Sequence, residues 1–553
     1  MISISLRKQN SFPEEHLQNL QYERDCINQC ISLHSDTQLM SNIPDNKRIA
    51  KNTVFLYLRM AVVMIVNLYT TRLVLRNLGV TDYGIYNVVY GFVTMFSVFN
   101  VTLTAGINRY YNYALGTSGL VGVQKIYNVA IRIQFMFAII ICGLVELCGL
   151  FYVNTIMVMP VDRILATNWL LQFSILSMAF MIFANPFSSL VIAFERMDYF
   201  AIISVLDVFL KLAVAIGISI VPCDKLIYYG IAISIISAID FIAYYIYVKV
   251  QFSEFVRFEN NYDRAVFKDM LKFSGWMALD PIAYSINGQG VNMLLNTFFG
   301  TMVNTAFGIA NQVGQAIDTF CMNLSTAFRP QMVQSYSSGD KSRSLKLFHS
   351  MTKISFCLFI LISIPIALNI KYIFDLWLGD TYPTITLQIS LIFIFVKMLG
   401  CLNHPISYLI MAKGSLKNYM ITTSVITSSI LLVAYFLLKI GLSVQFVFIA
   451  MFFIAIINQI ASVKILSVEI PEISQRQYYR SVMAPCLILM AIVFVVVAIP
   501  HSFIHSDLMT LLIDLLLSVI TTIIAAYYLC MDSTEKKILR SILNKFVHER
   551  YGK

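Results

Sequence analysis

From Ile49 onward the chain is a succession of apolar runs broken by short polar stretches. Each run is roughly 20 residues long, the length at which an α-helix rising 1.5 Å per residue crosses a bilayer's hydrocarbon core. The runs fall near 53–75, 83–104, 126–149, 168–192, 201–221, 227–248, 273–299, 303–328, 354–374, 384–411, 419–438, 443–463, 481–499 and 508–530. They predict an all-α polytopic membrane protein with about 14 transmembrane helices. Two of them, 273–299 and 303–328, carry many polar residues. The first 46 residues are different: polar, without a long apolar run, and unlike a signal peptide. Met40 offers an alternative start, so residues 1–39 are expected to be a dispensable extension.

Composition agrees with this pattern. Of 553 residues, 58% are hydrophobic and only 13% charged, too few polar groups to cover a soluble fold of this length and too many apolar ones for disorder. The net charge of +10 comes from 40 Lys and Arg against 30 Asp and Glu. With the N-terminus placed in the cytoplasm, about 30 of the 40 basic residues fall in inside segments and about five in outside loops. That bias predicts both termini inside, and it accounts for the positive charge by topology and by the anionic inner leaflet rather than by a nucleic-acid partner. Most of the ten cysteines, Cys142, Cys321 and Cys486 among them, sit in apolar runs as small hydrophobes, and Cys26 with Cys30 forms a CxxxC without a second ligand pair. No metal, phosphate-loop or triad pattern is present, and no cofactor is expected. No outside loop exceeds about 20 residues, which leaves no room for an extramembrane catalytic domain.

Two stretches repeat. Leu78-Gly79 to Tyr83-Gly84-Ile85-Tyr86-Asn87 and Phe299-Gly300 to Phe307-Gly308-Ile309-Ala310-Asn311 each place a glycine in a short outside turn. Each then opens a helix with aromatic-Gly-Ile-x-Asn. The offset is 224 residues, or six helices, so direction is preserved. The reading is two six-helix lobes in parallel repeat, a transporter design whose substrate site lies between the halves. The chain then divides into a polar cytoplasmic extension 1–46, an N-lobe 47–249 (helices 1–6), a cytoplasmic linker 250–272 and a C-lobe 273–466 (helices 7–12). Helices 13–14 follow in 467–531, and a basic cytoplasmic tail in 532–553.

Polar residues inside spans are costly to insert and face protein or water. Asn304, Asn311, Gln315 and Asp318 fall within about 60° of one another on helix 8. Tyr83, Asn87, Tyr90, Thr94 and Ser97 form a similar stripe on helix 2, and in the repeat register Asn87 matches Asn311 and Thr94 matches Asp318. Two matched stripes suggest a water-filled path between the lobes, or hydrogen-bonded glue between helices. Helix 1 carries Arg59, Asn67 and Arg72. Arg59 is deep enough to offer a phosphate its planar fork of donors, or to pair with a carboxylate; Arg72 lies near the outer end, where it can snorkel. In 273–299, Pro281 and Gly288-Gln289-Gly290 are expected to interrupt the helix, and Asp280 could take a proton or sodium, or pair with an arginine. Asp207 and Lys211, four residues apart, are expected to pair. Glu146, Asp240, Lys397 and Asp514 show no partner in the sequence.

Lys51-Asn52-Thr53 to Arg59-Met60, Leu78-Gly79 to Asn87, Asn185-Pro186, Glu195-Arg196-Met197 and Gly288-Gln289-Gly290-Val291-Asn292 to Gly308-Ile309-Ala310 resemble Bacteroides-type polysaccharide repeat-unit flippases. These are the Wzx-like O-antigen and capsule flippases of the multidrug/oligosaccharidyl-lipid/polysaccharide exporter superfamily, and the resemblance runs from about Met40 to the tail. It implies a central cavity lined by helices 1, 2, 7 and 8, and an undecaprenyl-diphosphate-linked oligosaccharide moved from the cytoplasmic to the periplasmic leaflet of a bacterial inner membrane. It also implies two extra helices, 13 and 14, beside the lipid tail. The chain departs from relatives in carrying uncharged Tyr284-Ser285-Ile286-Asn287 and Phe307 where they often carry arginines, which makes a densely cationic cavity less secure.

The expected function is therefore a lipid-linked oligosaccharide flippase working by alternating access, not an enzyme. Arg59, with Arg72 as a second candidate, would hold the diphosphate, and Asn67, Asn87, Thr94, Asn311 and Gln315 would line the sugar path. Asp280 and Asp318 are candidates for a coupling ion, H+ or Na+. The expected partners are the lipid-linked oligosaccharide, the bilayer and other polysaccharide-assembly proteins, with the chain itself a monomer. A multidrug antiporter of the same fold is the alternative, kept open by the same two carboxylates. A polymerase or ligase would need a large outside loop that the chain lacks. Reporter fusions at Lys341 and Lys553 should read cytoplasmic, and a chain starting at Met40 should insert and work normally; a periplasmic signal at either fusion overturns the orientation.

Overall fold

The computed structural model describes residues 46–194, 196–253, 256–257, 259, 263–414, 416–503, 507–532 and 536. The side chains of Arg59 and Asp280 lie outside that description, as does most of the basic tail. Contacts divide the chain into Met1–Ala61 and Val62–Lys553, and the contacts below lie within the second unit.

Among the described residues there is no strand. The long helices are α1 (Asn46–Thr117), α2 (Gly119–Thr155), α3 (Ile164–Ala193), α4 (Met197–Gly217), α5 (Lys225–Gln251) and α6 (Arg264–Met277), then α7 (Leu279–Phe299), α8 (Thr301–Ser337) and α9 (Lys341–Leu368). The short α10 (Ile370–Leu378) precedes α11 (Ile385–Lys413), α12 (Leu416–Lys439) and α13 (Val444–Glu469). The one-turn α14 (Gln475–Tyr478) leads into α15 (Ala484–Phe503) and α16 (Asp507–Ala525). Eleven segments are long and apolar enough to cross a membrane, and the first of them, Met60–Leu115, has 56 residues and room for two crossings. The two halves of that segment, the other ten and the more polar α7 and α8 make the fourteen predicted spans.

The repeat is written in the backbone. α1 bends at Gly79, with φ 80° and ψ 172°, and α7 passes into α8 at Gly300, with φ 72° and ψ −170°. That region of φ/ψ space is essentially closed to residues with a Cβ, so each half needs glycine at its first outer turn. The two turns differ in length. Five residues separate Gly79 from Gly84, and eight separate Gly300 from Gly308.

The break expected within 273–299 lies elsewhere. Gly288 and Gly290 are helical, and the interruption falls at Ala278, between α6 and α7. Pro281 sits in the first turn of α7, where its missing N–H has no intrahelical partner to lose. Without a Cβ, Gly290 lets the Leu431 side chain of α12 close onto α7. The segment read as a linker holds α6, capped by Asp263, whose carboxylate accepts the amides of Ala265 and Val266. Before α6 the chain is strapped to α2. Asn128 accepts the Glu259 amide at 2.7 Å and donates to the Arg257 carbonyl at 3.2 Å. Arg132 donates to the Glu259 carbonyl at 2.5 Å.

At the Gly79 end, Arg163 joins three connections of the N-lobe by binding Asp82 at 2.5 Å and Asp224 at 2.6 Å. Behind the C-lobe, α15 and α16 pack on α9. Asp514, fully buried, accepts Asn369 Nδ2 at 2.7 Å and meets His501 Nδ1 at 2.8 Å.

The second half of α1 runs antiparallel to α6 and α7 taken together. Asn292 donates to the Asn87 carbonyl, Gln289 meets Gly91, Ser285 reaches the Met95 carbonyl, Ser274 meets Gly106, and Arg109 lies 4.2 Å over the Phe273 ring. From Asn87 to Arg109 this seam covers about 33 Å at helical rise. It needs small residues. A Cβ on Gly106 would stand 2.5 Å from Ser274 Oγ, and one on Gly84 would collide with the main-chain carbonyl of Thr301. Gly84→Ala should therefore lower the unfolding temperature of the purified protein, as overpacking typically costs 1–3 kcal/mol. Gly288→Ala, with nothing within 4 Å of the added methyl, should leave it unchanged or slightly raised. Equal melting curves for the two variants would refute the close-approach account.

Candidate functional site: the cleft between α1 and α8

The first half of α1 runs antiparallel to α8, as two bonds establish. Thr305 Oγ1 donates to the Val80 carbonyl at 2.6 Å, and Gln312 Nε2 donates to Thr71 Oγ1 at 2.9 Å. Both lie toward the Gly79 end. A reciprocal pair of bonds clasps the same end: Arg72 donates to the Leu376 carbonyl at 2.9 Å, and Trp377 Nε1 donates to the Leu68 carbonyl at 2.7 Å. Thus α10, not visible in the sequence as a helix of its own, ties the C-lobe to helix 1. One turn beyond Thr71 and Gln312, away from Gly79, stand Asn67 and Gln315, both exposed.

The predicted stripe on α8 divides. Asn304 is fully buried and donates to the Asn292 carbonyl at 2.7 Å, while Asn296 Nδ2 donates to Asn304 Oδ1 at 3.0 Å. These asparagines lock the α7–α8 hairpin and also hold the loop after α2, through Asn296 Oδ1 and the Val158 amide at 2.9 Å. Asn304 therefore acts as hydrogen-bonded glue. Asn311 is half-buried and Gln315 open. On helix 2, Asn87 lies in the lobe seam: it donates to the Tyr83 carbonyl at 2.9 Å, and a Cβ on Gly308 would come 2.6 Å from its Oδ1. Thr94 and Ser97 turn back on the carbonyls of Gly91 and Thr94. Arg72 is engaged with Leu376 rather than free in a cavity.

One turn beyond Gln315 on α8 lies a charge cluster. Asp318 of α8 is shared by two bases of α11, Lys397 at 3.5 Å and His404 at 3.4 Å, and Lys397 Nζ is also 3.5 Å from the Tyr284 hydroxyl of α7. Gly314 leaves room for the Lys397 stem, which would press within 3.3 Å of an added Cβ. Asp318 is thus a paired carboxylate. Two of the other charges without a partner in the sequence find one too. Glu146 accepts Gln172 at 2.9 Å, and Asp514 has His501 and Asn369. The Asp207–Lys211 pair forms as expected, at 2.8 Å. Sequence reading missed His404 and Trp377. The available signal was spacing: Lys397 and His404, seven apart, share one face of α11.

The fold is similar to that of solved polytopic helical flippases and transporters. The lipid II flippase MurJ in an inward closed conformation matches with a TM-score of 0.65 and 14% identity, covering 87% of this chain and 98% of that one. An inward-facing multidrug resistance MATE family transporter matches at 0.59 and 13% identity, over 74% of this chain and 98% of that one. An outward-facing MATE transporter matches at 0.50 and 14%, over 76% and 96%. No curated protein sequence matches the chain significantly. Residues 49–336, just over half of the chain, match the family model described as polysaccharide biosynthesis protein, and the chain belongs to that family.

The clasp yields a test. Arg72→Met removes the donor from the exposed Leu376 carbonyl and should lower stability by about 0.5–1.5 kcal/mol, the net value of an ordinary hydrogen bond. An unchanged melting temperature combined with lost activity would instead make Arg72 a substrate ligand.

Proposed function

We propose that the protein is a flippase for an undecaprenyl-diphosphate-linked oligosaccharide repeat unit. It moves that unit from the cytoplasmic to the periplasmic leaflet of a bacterial inner membrane, for assembly of surface polysaccharide such as O-antigen or capsule. The match to the polysaccharide biosynthesis family over residues 49–336 carries the reading. Likeness to a lipid II flippase over 87% of the chain supports it with a two-lobed fold suited to alternating access. On this reading both termini lie in the cytoplasm. The chain acts as a monomer alongside other polysaccharide-assembly proteins, and its diphosphate is held by Arg59. The sugars pass Asn67, Asn87, Thr94, Asn311 and Gln315, with Arg72 at the outer end. Asp280 is the candidate for a coupling proton or sodium. A drug antiporter needs a carboxylate free to hold a cation, and the sharing of Asp318 between Lys397 and His404 counts against that role for it.

Deletion of the gene should abolish surface polysaccharide, and the wild-type chain should restore it. Arg59→Ala should fail to restore it while reaching normal membrane levels, and Arg59→Lys should restore it in part, because lysine keeps the charge and loses the bidentate fork. Intact polysaccharide with raised drug sensitivity in the deletion strain would establish the antiporter instead. Normal polysaccharide with Arg59→Ala would remove Arg59 from the site.

A further inference from the structure

The cluster around Lys397 is built unlike the other part-buried ion pairs. Arg163 meets Asp224 at 2.6 Å and Lys211 meets Asp207 at 2.8 Å, the distances of charge-assisted hydrogen bonds. Lys397 stands 3.5 Å from both Asp318 and Tyr284, and His404 stands 3.4 Å from Asp318. A comparably long pair, Lys353–Asp532 at 3.8 Å, has its carboxylate 61% exposed, where water completes the shell. Lys397 and Asp318 have no such access, with side chains only 13% and 16% exposed. An ammonium has three donors. Among the described residues they have two distant partners inside the membrane span, where poor coordination is costly. Tyr284 is 66% exposed and His404 27%, so the cluster reaches the surface of the helix bundle on those two residues.

The charges are also unbalanced. One carboxylate serves two bases. With His404 neutral, Lys397 and Asp318 cancel; a proton on His404 leaves the cluster at net +1. The other titratable groups around it, among the described residues, are Tyr284 of α7 and the thiols of Cys321 on α8 and Cys401 on α11, which hydrogen-bond each other beside Asp318. Histidine is the side chain whose charge ordinarily changes between about pH 5 and 8. We infer that Lys397 and His404, poised on Asp318, form a proton-linked binding site for an oxyanion of the transported molecule. The anion takes the open donors of Lys397, and the proton on His404 balances its charge. Linkage makes the effect mutual, each ligand tightening the other. The oxyanion is a phosphate of the carrier lipid or a carboxylate of an acidic sugar; the cluster's chemistry is the same for both. The inference rests on the flippase reading only for the origin of that anion.

The test is direct binding to the purified full-length protein in nanodiscs, with farnesyl diphosphate, farnesol and glucuronate as probes at pH 6 and pH 8. Farnesyl diphosphate or glucuronate should bind the wild type, with farnesol silent, and the binding should tighten at pH 6. Lys397→Met should weaken it about tenfold or more at pH 6, the scale of one charged hydrogen bond. The double variant Lys397→Met/Asp318→Asn, which leaves no unpaired charge in the span, should weaken it equally. His404→Gln should bind as the wild type does at pH 8 and lose the gain at pH 6; any residual pH effect in that variant is the diphosphate's own titration. Binding of farnesyl diphosphate assigns the anion to the carrier lipid, and binding of glucuronate alone assigns it to the sugar. If the wild type binds neither anion, or the double variant binds as the wild type does, the site is refuted. The deletion strain separates this from the wider reading: restored polysaccharide alongside unchanged binding by the double variant removes the site and leaves the flippase standing.

Discussion

The structure depends on how closely two helices can approach inside a membrane. Lipid offers no hydrophobic drive to hold one helix against another, so the lobes cohere by contact and hydrogen bonding. The second half of α1 meets that demand with glycine at 84, 91 and 106, set against Thr301 of α8, Gln289 of α7 and Ser274 of α6. The other meeting of the lobes is different. Between the first half of α1 and α8 the bonds lie toward Gly79, at Thr305–Val80 and Gln312–Thr71. Among the described residues, the first meeting makes contacts all along its length, and the bonds of the second lie near the Gly79 turn. Exposed Asn67 and Gln315 lie one turn past Thr71 and Gln312.

Much of this was legible in the sequence, and the reasons are physical. Span count follows from run length, because a bilayer fixes how many apolar residues a crossing needs. The repeat was legible because its glycines answer to backbone demands no other residue meets. Gly79 and Gly300 share a conformation closed to a Cβ, and Gly84 and Gly308 each lie where the opposite lobe touches the helix. The helix break was misplaced because proline and glycine are read as breakers wherever they occur. Pro281 is harmless in a first turn, and Gly290 serves a neighbour, Leu431.

The polar residues were harder to read because periodicity gives a face and not what that face meets. Asn304, Asn311, Gln315 and Asp318 share a stripe on α8, yet one is sealed in an asparagine lock, one is half-buried, one is open and one is shared between two bases. Partners on other helices decide among these fates, from Asn292 and Asn296 within a dozen residues of Asn304 to Lys397 and His404 some 80 residues from Asp318. For the same reason Lys397 had no visible partner, although the pattern on α11 already held Lys397 and His404 on one face.

The repeat is symmetric in its scaffold and asymmetric in its chemistry. In register, Asp318 of α8 stands where α1 has Thr94. Thr94 spends its hydroxyl on the Gly91 carbonyl of its own helix, so the N-lobe shows a neutral wall at the position where the C-lobe shows a carboxylate with two bases. The glycines at the outer turns and at the close approaches place the same backbone demand on both lobes, while the side chains at matched positions beyond them have diverged, a neutral threonine on one helix and a shared carboxylate on the other.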